Sequence, residues 1–587
     1  VPQVFLEMLA RNSEQVAFRW KNDDDSWSEV TWNEFADHVA RVANGLSHHG
    51  LGHGDRLMLM IRNVYQFHVL DLAALFLGAT PVSIYNSSSP EQIEYFCNDA
   101  GVKVAVVENS GFFASFSKVR QNLTTLQAIG IVHDGDPRVD ADFTFADLVA
   151  SEPLDLIAAS TTARPDDLAT LIYTSGTTGP SKGVMLDHRN VIWTAESLRR
   201  SFGWDFDKLS GMRVVSYLPM AHIAERMVSH YQALIVGYEI TCCPDPTQIA
   251  AYAGQVRPQI MFGVPRVWEK IYAGVNAALA ADPEKAKAVA DGVAAGMPIR
   301  EKMTMGTATP EEIETYEFLD AVAFSTIRQL VGLDQLEAAI TGAAPIPAEI
   351  MSWFRTIGVP LSEVYGLSEN TGPMTWERHR VKVGYVGVAC PGVEVALAED
   401  GEVICRGGNV FRGYLNLPDK TAEVLDADGW FHSGDIGEFD DEGYLKIVDR
   451  KKELIITAGG KNLSPANLEA RLKMIPLVGQ ACAIGDKRPF VSALVVLDPD
   501  AAPLWARAKG IEFDSLDELA QNPEIIAEIE AGLPLAMAEF NNAEKVKKIK
   551  VLGSEWLPDS DLLTPTSKLK RRGVNTVFAD EIEALYS

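Results

Sequence analysis

Tyr173-Thr174-Ser175-Gly176-Thr177-Thr178-Gly179-Pro180-Ser181-Lys182-Gly183-Val184 is the stretch on which the reading turns. It follows the apolar run Leu168 to Ile172, so it leaves a strand and opens into a glycine-rich loop. Six hydroxyl-bearing residues and one lysine fall within its first ten positions. Free backbone N–H groups, small side chains and one mobile cation suit a polyphosphate. The Walker A pattern does not fit, because Ser181 precedes Lys182 and Gly183 follows it. No Gly-x-Gly-x-x-Gly follows a strand, which weakens a dinucleotide-binding reading.

Outward from the loop, the first third alternates helix and strand patterns. Thr31-Trp32-Asn33-Glu34 is a capping box, and Phe35, Val39, Val42 and Leu46 recur at helical spacing until Gly50 and Gly54. Leu57 to Ile61, Val82 to Tyr85, Val102 to Val107 and Ile129 to His133 read as strands, and Ser89-Pro90-Glu91 starts a helix. The pattern predicts an α/β fold with a mostly parallel, helix-covered sheet. From about Asn276 to Leu330 the chain is helical and alanine-rich, with interruptions expected at Met297-Pro298 and Thr309-Pro310. Glycine density rises from Gly384 to Tyr444, where Glu394 to Leu397 and Glu402 to Cys405 predict a small β subdomain at about 384–448. The charged run Asp449-Arg450-Lys451-Lys452-Glu453 marks a hinge. A large N-terminal domain over 1–450 and a small C-terminal α+β domain over 451–587 are therefore expected.

Composition narrows the function. Lys and Arg total 52 against 80 Asp and Glu, so 52 − 80 gives −28. A chain this acidic lacks the basic face that nucleic-acid binding requires. The six cysteines form no C-x-x-C pair and no disulfide framework, as expected of buried thiols in a reducing compartment. The longest apolar stretch, Leu72 to Tyr85, is too short to span a bilayer. A cytoplasmic protein is expected, with peripheral contact at the inner face of the membrane left open.

The loop is similar to the signature of the adenylate-forming superfamily, which contains acyl-CoA synthetases, luciferases and peptide-synthetase adenylation domains. That signature usually ends Gly-x-Pro-Lys-Gly, whereas here the proline stands one place early, at Pro180. Gly342-Ala343-Ala344-Pro345 resembles the family's adenine-contacting turn, and Glu363-Val364-Tyr365-Gly366-Leu367-Ser368-Glu369 its most specific motif. The resemblance implies that Tyr365 and Gly366 lie against adenine, Ser368 contacts the α-phosphate, and Glu369 with Thr174 holds Mg²⁺. It also implies that Ser175, Gly176, Thr177, Thr178 and Lys182 cradle the phosphates of ATP. Asp435 in Trp430-Phe431-His432-Ser433-Gly434-Asp435-Ile436-Gly437 and Arg450 resemble the ribose ligands. Lys568 resembles the catalytic lysine and Lys452 the hinge position, while Thr457-Ala458-Gly459-Gly460-Lys461-Asn462 resembles the strand that admits the coenzyme A arm.

Leu218-Pro219-Met220-Ala221-His222-Ile223-Ala224-Glu225-Arg226 and Phe262-Gly263-Val264-Pro265-Arg266-Val267-Trp268 resemble long-chain fatty acyl-CoA synthetases. By that resemblance His222 lies near the reacting carboxylate and Gly263 to Pro265 wall the acyl channel. Between Lys545 and Arg572 eight basic and three acidic residues leave a net of +5, which suits the phosphates of coenzyme A or a merely solvated basic face. The expected activity is ATP-dependent activation of a long-chain fatty acid, then transfer to coenzyme A. Two alternatives stay open: an acyl-AMP ligase serving a carrier-protein thiol, and a non-catalytic ATP-binding protein. Oligomeric state is not legible.

Overall fold

The computed structural model describes residues 1–133, 139–174, 180–456, 462–542, 544–557, 560–564 and 568–587. The chain divides into two compact units. The first comprises Val1–Gly342, Ile350–Ala396 and Ile404–His432, and the second Ala343–Glu349, Leu397–Val403 and Ser433–Ser587.

Two sheets build the first unit. Among the described residues one has eight strands, in the order Gly413–Tyr414, Lys182–Asp187, Leu168–Thr174, Thr80–Ser83, Arg56–Met60, Val104–Val107, Ala128–Ile131 and Phe143–Thr144. Its pairs are parallel from Leu168–Thr174 to Phe143–Thr144, while Lys182–Asp187 turns back antiparallel. The predicted strands are present with ends shifted by at most two residues, and the expected parallel sheet is found. The second sheet has nine strands among the described residues. Its centre runs parallel through Leu361–Leu367, Ala338–Thr341, Ile260–Gly263, Arg213–Ser216, Glu239–Cys242 and Val16–Lys21.

Local signals account for the helix starts. Thr31 Oγ1 accepts from the Glu34 N–H while Glu34 accepts from the Thr31 N–H, opening helix Trp32–His48. Ser89 and Gln92 make the same box at helix Pro90–Ala100. The helical insertion is longer than expected, because its first helix, Pro265–Ala280, starts well before Asn276. Thr309-Pro310 does break it, but Met297-Pro298 does not: helix Pro283–Met305 runs through Pro298. Proline loses one hydrogen bond there. Packing outweighs that loss, since Val289, Val293 and Gly296 are buried and a Cβ on Gly296 would stand 3.2 Å from the Phe324 ring.

A fully buried polar network ties the two sheets together. Arg226, in the π-helical turn Arg226–Tyr231, pairs with Asp71 of helix Tyr65–Phe76 at 2.5 Å. Arg226 also donates to Ser83 Oγ at 2.8 Å and to the Tyr231 hydroxyl at 2.9 Å. Burial pushes the Asp71 carboxyl up, but Arg226 and His230 outweigh it and hold it below its ordinary value. Burial lowers His230 and His68. Both rings are therefore neutral: His230 Nε2–H donates to Asp71 at 2.9 Å, and its Nδ1 accepts from His68 Nδ1–H at 3.0 Å.

The second unit centres on strands Val478–Ile484, Val491–Leu497 and Val546–Leu552, the first pair antiparallel and the second parallel. Alternation along Val491–Leu497 serves two cores. Ala493 and Val495 pack with Leu468, Leu472, Ile525 and Ile529, whereas Leu494 and Val496 pack with Trp556, Val574, Ile582 and Leu585. Strands Phe431–Phe439 and Leu445–Arg450 form an antiparallel hairpin ahead of it. Among the described residues no helix is long and apolar enough to cross a membrane.

Removing one partner of a buried ion pair strands the other charge, at about 3–5 kcal/mol. Arg226→Met should lower unfolding free energy by that amount in chemical denaturation followed by tryptophan fluorescence. Asp71→Asn combined with Arg226→Met should cost less than Arg226→Met alone.

Candidate active site

In the first unit, topology gathers the motifs. Arg213–Ser216, Ile260–Gly263, Ala338–Thr341 and Leu361–Leu367 are adjacent parallel strands, so their carboxyl ends lie along one edge of the sheet. That edge is where open α/β sheets take ligands. It carries the turn with His222, then Gly263-Val264-Pro265, then Gly342, then Tyr365 to Glu369.

Each turn has a local cause. His222 caps the turn Ile223–Glu225, its Nδ1 accepting from the Ala224 N–H at 3.2 Å. An accepting Nδ1 carries no proton, so the neutral ring bears its hydrogen on Nε2. Glu225 is 2% exposed and draws the turn onto its strand. Glu225 Oε1 accepts from Ser216 Oγ at 2.8 Å, Ser229 Oγ at 2.7 Å and the Tyr217 N–H at 3.2 Å. Gly342 must be glycine, because a Cβ would stand 2.8 Å from Val364 Cγ1 and 2.9 Å from its carbonyl oxygen. Gly366 sits at a bulge opposite Pro373, and the carbonyl oxygen of Gly372 lies 1.7 Å from where its Cβ would be. Tyr365 and Glu369 are half-buried and Ser368 is buried.

Strands Leu168–Thr174 and Lys182–Asp187 pair antiparallel, with Thr174 opposite Lys182. Ser175, Gly176, Thr177, Thr178 and Gly179 lie outside the described residues. Strand Gly413–Tyr414 adds to this hairpin, placing Tyr414 opposite Val184. The Lys182 ammonium lies 4.2 Å from the centre of the Tyr414 ring, and the Tyr414 hydroxyl donates to Glu369 Oε1 at 2.8 Å. One tyrosine thus joins the loop lysine on one sheet to the acidic residue on the other. No local sequence motif marks Tyr414. Glu369 stands 45 residues away in the chain; the pairing of Gly413–Tyr414 with Lys182–Asp187 and a hydrogen bond from the Phe411 N–H to the Glu369 carbonyl at 2.8 Å bring them together. Glu225, Asp71 and Arg226 were likewise given no role by spacing.

Within the second unit, hairpin register sets Asp435 opposite Arg450, and Arg450 Nε pairs with Asp435 Oδ1 at 2.9 Å. Ala343 adopts a left-handed backbone at φ 71°, unusual for a residue with a Cβ, and Ala344 follows it. Lys452 is exposed in the turn after strand Leu445–Arg450. Lys568 sits at the base of a hairpin, where its N–H donates to Thr564 Oγ1 at 3.0 Å and its carbonyl accepts from the Thr564 N–H at 2.8 Å. Gly459, Gly460 and Lys461 lie outside the described residues. Among the described residues no group of three His, Cys, Asp or Glu side chains could hold a metal ion.

Two helix-covered sheets and a small α+β unit make up the adenylate-forming class of fold. The adenylation domain of a carboxylate reductase from Mycobacterium chelonae superposes with a TM-score of 0.76 at 19% identity, covering 100% of this chain and 91% of that one. The chain belongs to the AMP-binding enzyme family: the model of that name matches residues 5–415, and its C-terminal domain model matches residues 452–587. FadD15 of Mycobacterium bovis, named a long-chain-fatty-acid–CoA ligase, is 34% identical over 96% of this chain and 93% of its own. ACSBG2 of Xenopus laevis, also named a long-chain-fatty-acid–CoA ligase, is 31% identical over 100% of this chain and 83% of its own.

Burial pushes Glu225 from an ordinary 4.5 up to about 7, against hydrogen bonds from Ser229 and Ser216 that lower it. The fold therefore holds this proton more tightly than the unfolded chain does. Its contribution is full below about pH 4.5 and is lost as pH rises through about 7. Relative to Glu225→Gln, the wild type should lose on the order of 3 kcal/mol across that window. Chemical denaturation at a series of pH values reads it.

Proposed function

We propose that the protein activates a long-chain fatty acid with ATP, forming acyl-adenylate and pyrophosphate, and then transfers the acyl group to coenzyme A with release of AMP. The observation that carries the reading is the line Lys182–Tyr414–Glu369, an ammonium over a tyrosine ring whose hydroxyl donates to a carboxylate. The printed names of the relatives support the acid and the thiol. The domains are 1–450, with the β subdomain at about 384–448 and a helical insertion that begins at Pro265, and 451–587, mobile about Lys452.

Lys182 and the loop hydroxyls hold the β- and γ-phosphates. Tyr365 and the turn Gly342-Ala343-Ala344 bind adenine, Ser368 contacts the α-phosphate, and Asp435 with Arg450 binds the ribose. The Glu369 carboxylate and the Thr174 hydroxyl are hard oxygen donors, which suits Mg²⁺, a cation that takes most of its ligands from phosphate and water. When bound, it neutralises charge on the phosphate oxygens. His222 offers Nε2–H to the acid's carboxylate and orients it for attack on the α-phosphorus. As that bond forms and pyrophosphate leaves, charge grows on the α-phosphate oxygens, and the Lys568 ammonium stabilises it more than it stabilises bound ATP. Gly459 and Gly460 then let the pantetheine arm pass beside the backbone. The thiolate attacks the acyl carbonyl and AMP leaves.

With ATP, Mg²⁺ and a palmitate-length acid, AMP release should require coenzyme A, and acyl-CoA should be the product. Acyl-adenylate accumulating regardless of coenzyme A would replace this reading with an acyl-AMP ligase. Lys568→Ala should slow adenylation about 10²–10³-fold while still converting supplied acyl-adenylate to thioester.

A further inference from the structure

Three residues beyond Lys568, the Arg571 guanidinium stands where four segments of the second unit meet. Its Nη1 and Nη2 grip Glu469 of helix Pro465–Leu472 as a fork, at 2.7 Å and 2.8 Å. Its Nε reaches Glu453 at 3.3 Å, and Nη1 also donates to the carbonyl of Ala483 at 3.3 Å on strand Val478–Ile484. Glu469 in turn accepts from the Ala483 N–H at 2.7 Å. All three charged side chains are largely shielded, at 17% exposure for Arg571, 12% for Glu469 and 23% for Glu453.

The Lys568 hairpin is fixed to the same point. Leu563 bridges Leu569, and Leu563 is packed with Trp556 and Val574. The Lys570 N–H donates to Leu562 and its ammonium to the carbonyl of Ser560, both at 2.8 Å. Gly573 lets helix Arg571–Val577 lie on this loop, since a Cβ there would stand 1.8 Å from the carbonyl oxygen of Asp561. Glu453 is the residue after Lys452, and Asp449 just before it accepts from Ser464 Oγ at 2.6 Å and from the Ala466 N–H at 3.1 Å. The start of helix Pro465–Leu472 is thus tied to the hinge side as well.

We propose that Arg571 is a positioning residue for adenylation: its fork to Glu469 and its contact with Glu453 hold the Lys568 hairpin rigidly to the segment that leaves the hinge. Rotation about Lys452 is then passed on to the lysine without slack. Charged hydrogen bonds from a planar fork set direction as well as distance, which lysine cannot reproduce. The proposal rests on the adenylate-forming role given to Lys568 above.

The test separates the half-reactions. Acid-dependent pyrophosphate exchange reads adenylation, and thioester formation from supplied palmitoyl-adenylate and coenzyme A reads the second step. Arg571→Met should lower exchange by about 10–10²-fold, the scale of an ångström-sized misplacement, and leave thioester formation within about twofold. Arg571→Lys should recover only part of the loss. In a Lys568→Ala background, Arg571→Met should add no further loss of exchange. Should Arg571→Met not fold, Glu453→Gln, which keeps the fork, should show a smaller fall confined to exchange. Equal loss in both half-reactions, or an undiminished effect without Lys568, would overturn the proposal. The reading beneath it fails by a different sign: no acid-dependent exchange in the wild type, or Lys568→Ala exchanging as fast as wild type.

Discussion

Parallel pairing sends the carboxyl ends of neighbouring strands to the same edge, and the first unit depends on that constraint. Arg213–Ser216, Ile260–Gly263, Ala338–Thr341 and Leu361–Leu367 are spread along the chain, yet they lie side by side in register. Four turns with different side chains are thereby delivered to one rim. The same geometry explains the glycines there. Gly342 faces the backbone of Val364 and Gly366 faces that of Gly372, so strands this close leave no room for a Cβ.

A rim on one sheet is useful only if the other sheet is held in place. Arg226, Asp71, His230 and His68 do this without contact with solvent. Burying an ion pair is costly, and here the cost is offset because Asp71 accepts from two neighbours and Arg226 donates to Ser83 and Tyr231 as well. Arg226 follows directly on Glu225, whose buried carboxylate anchors the turn bearing His222. Holding the two sheets and aiming the histidine turn are thus tasks of adjacent residues.

The second unit repeats the logic on a smaller scale. Its three-stranded sheet is apolar on both faces, and the charged side chains of Arg571, Glu469 and Glu453 gather at its margin. An arginine fork resists sliding in a way apolar packing does not, because hydrogen bonds have direction.

Much of this was legible beforehand. The capping box at Thr31, the helix start at Ser89-Pro90 and the alternation of strands and helices show in local pattern, because caps and periodicity are decided by residues a few positions apart. Pro298 misled, since a helix can run through proline when its buried face packs well enough, and packing is not a local property. Tyr414 beneath Lys182, Glu225 beneath the histidine turn and Arg571 between Glu469 and Glu453 join residues far apart in the chain, where spacing says nothing. The sequence by itself determined the chemistry on offer, namely the hydroxyls, the lysines, the carboxylates and the glycines of a nucleotide-activating enzyme. Only the tertiary structure decided which of them meet, because strand order and burial, not proximity in the chain, set the distances between charges.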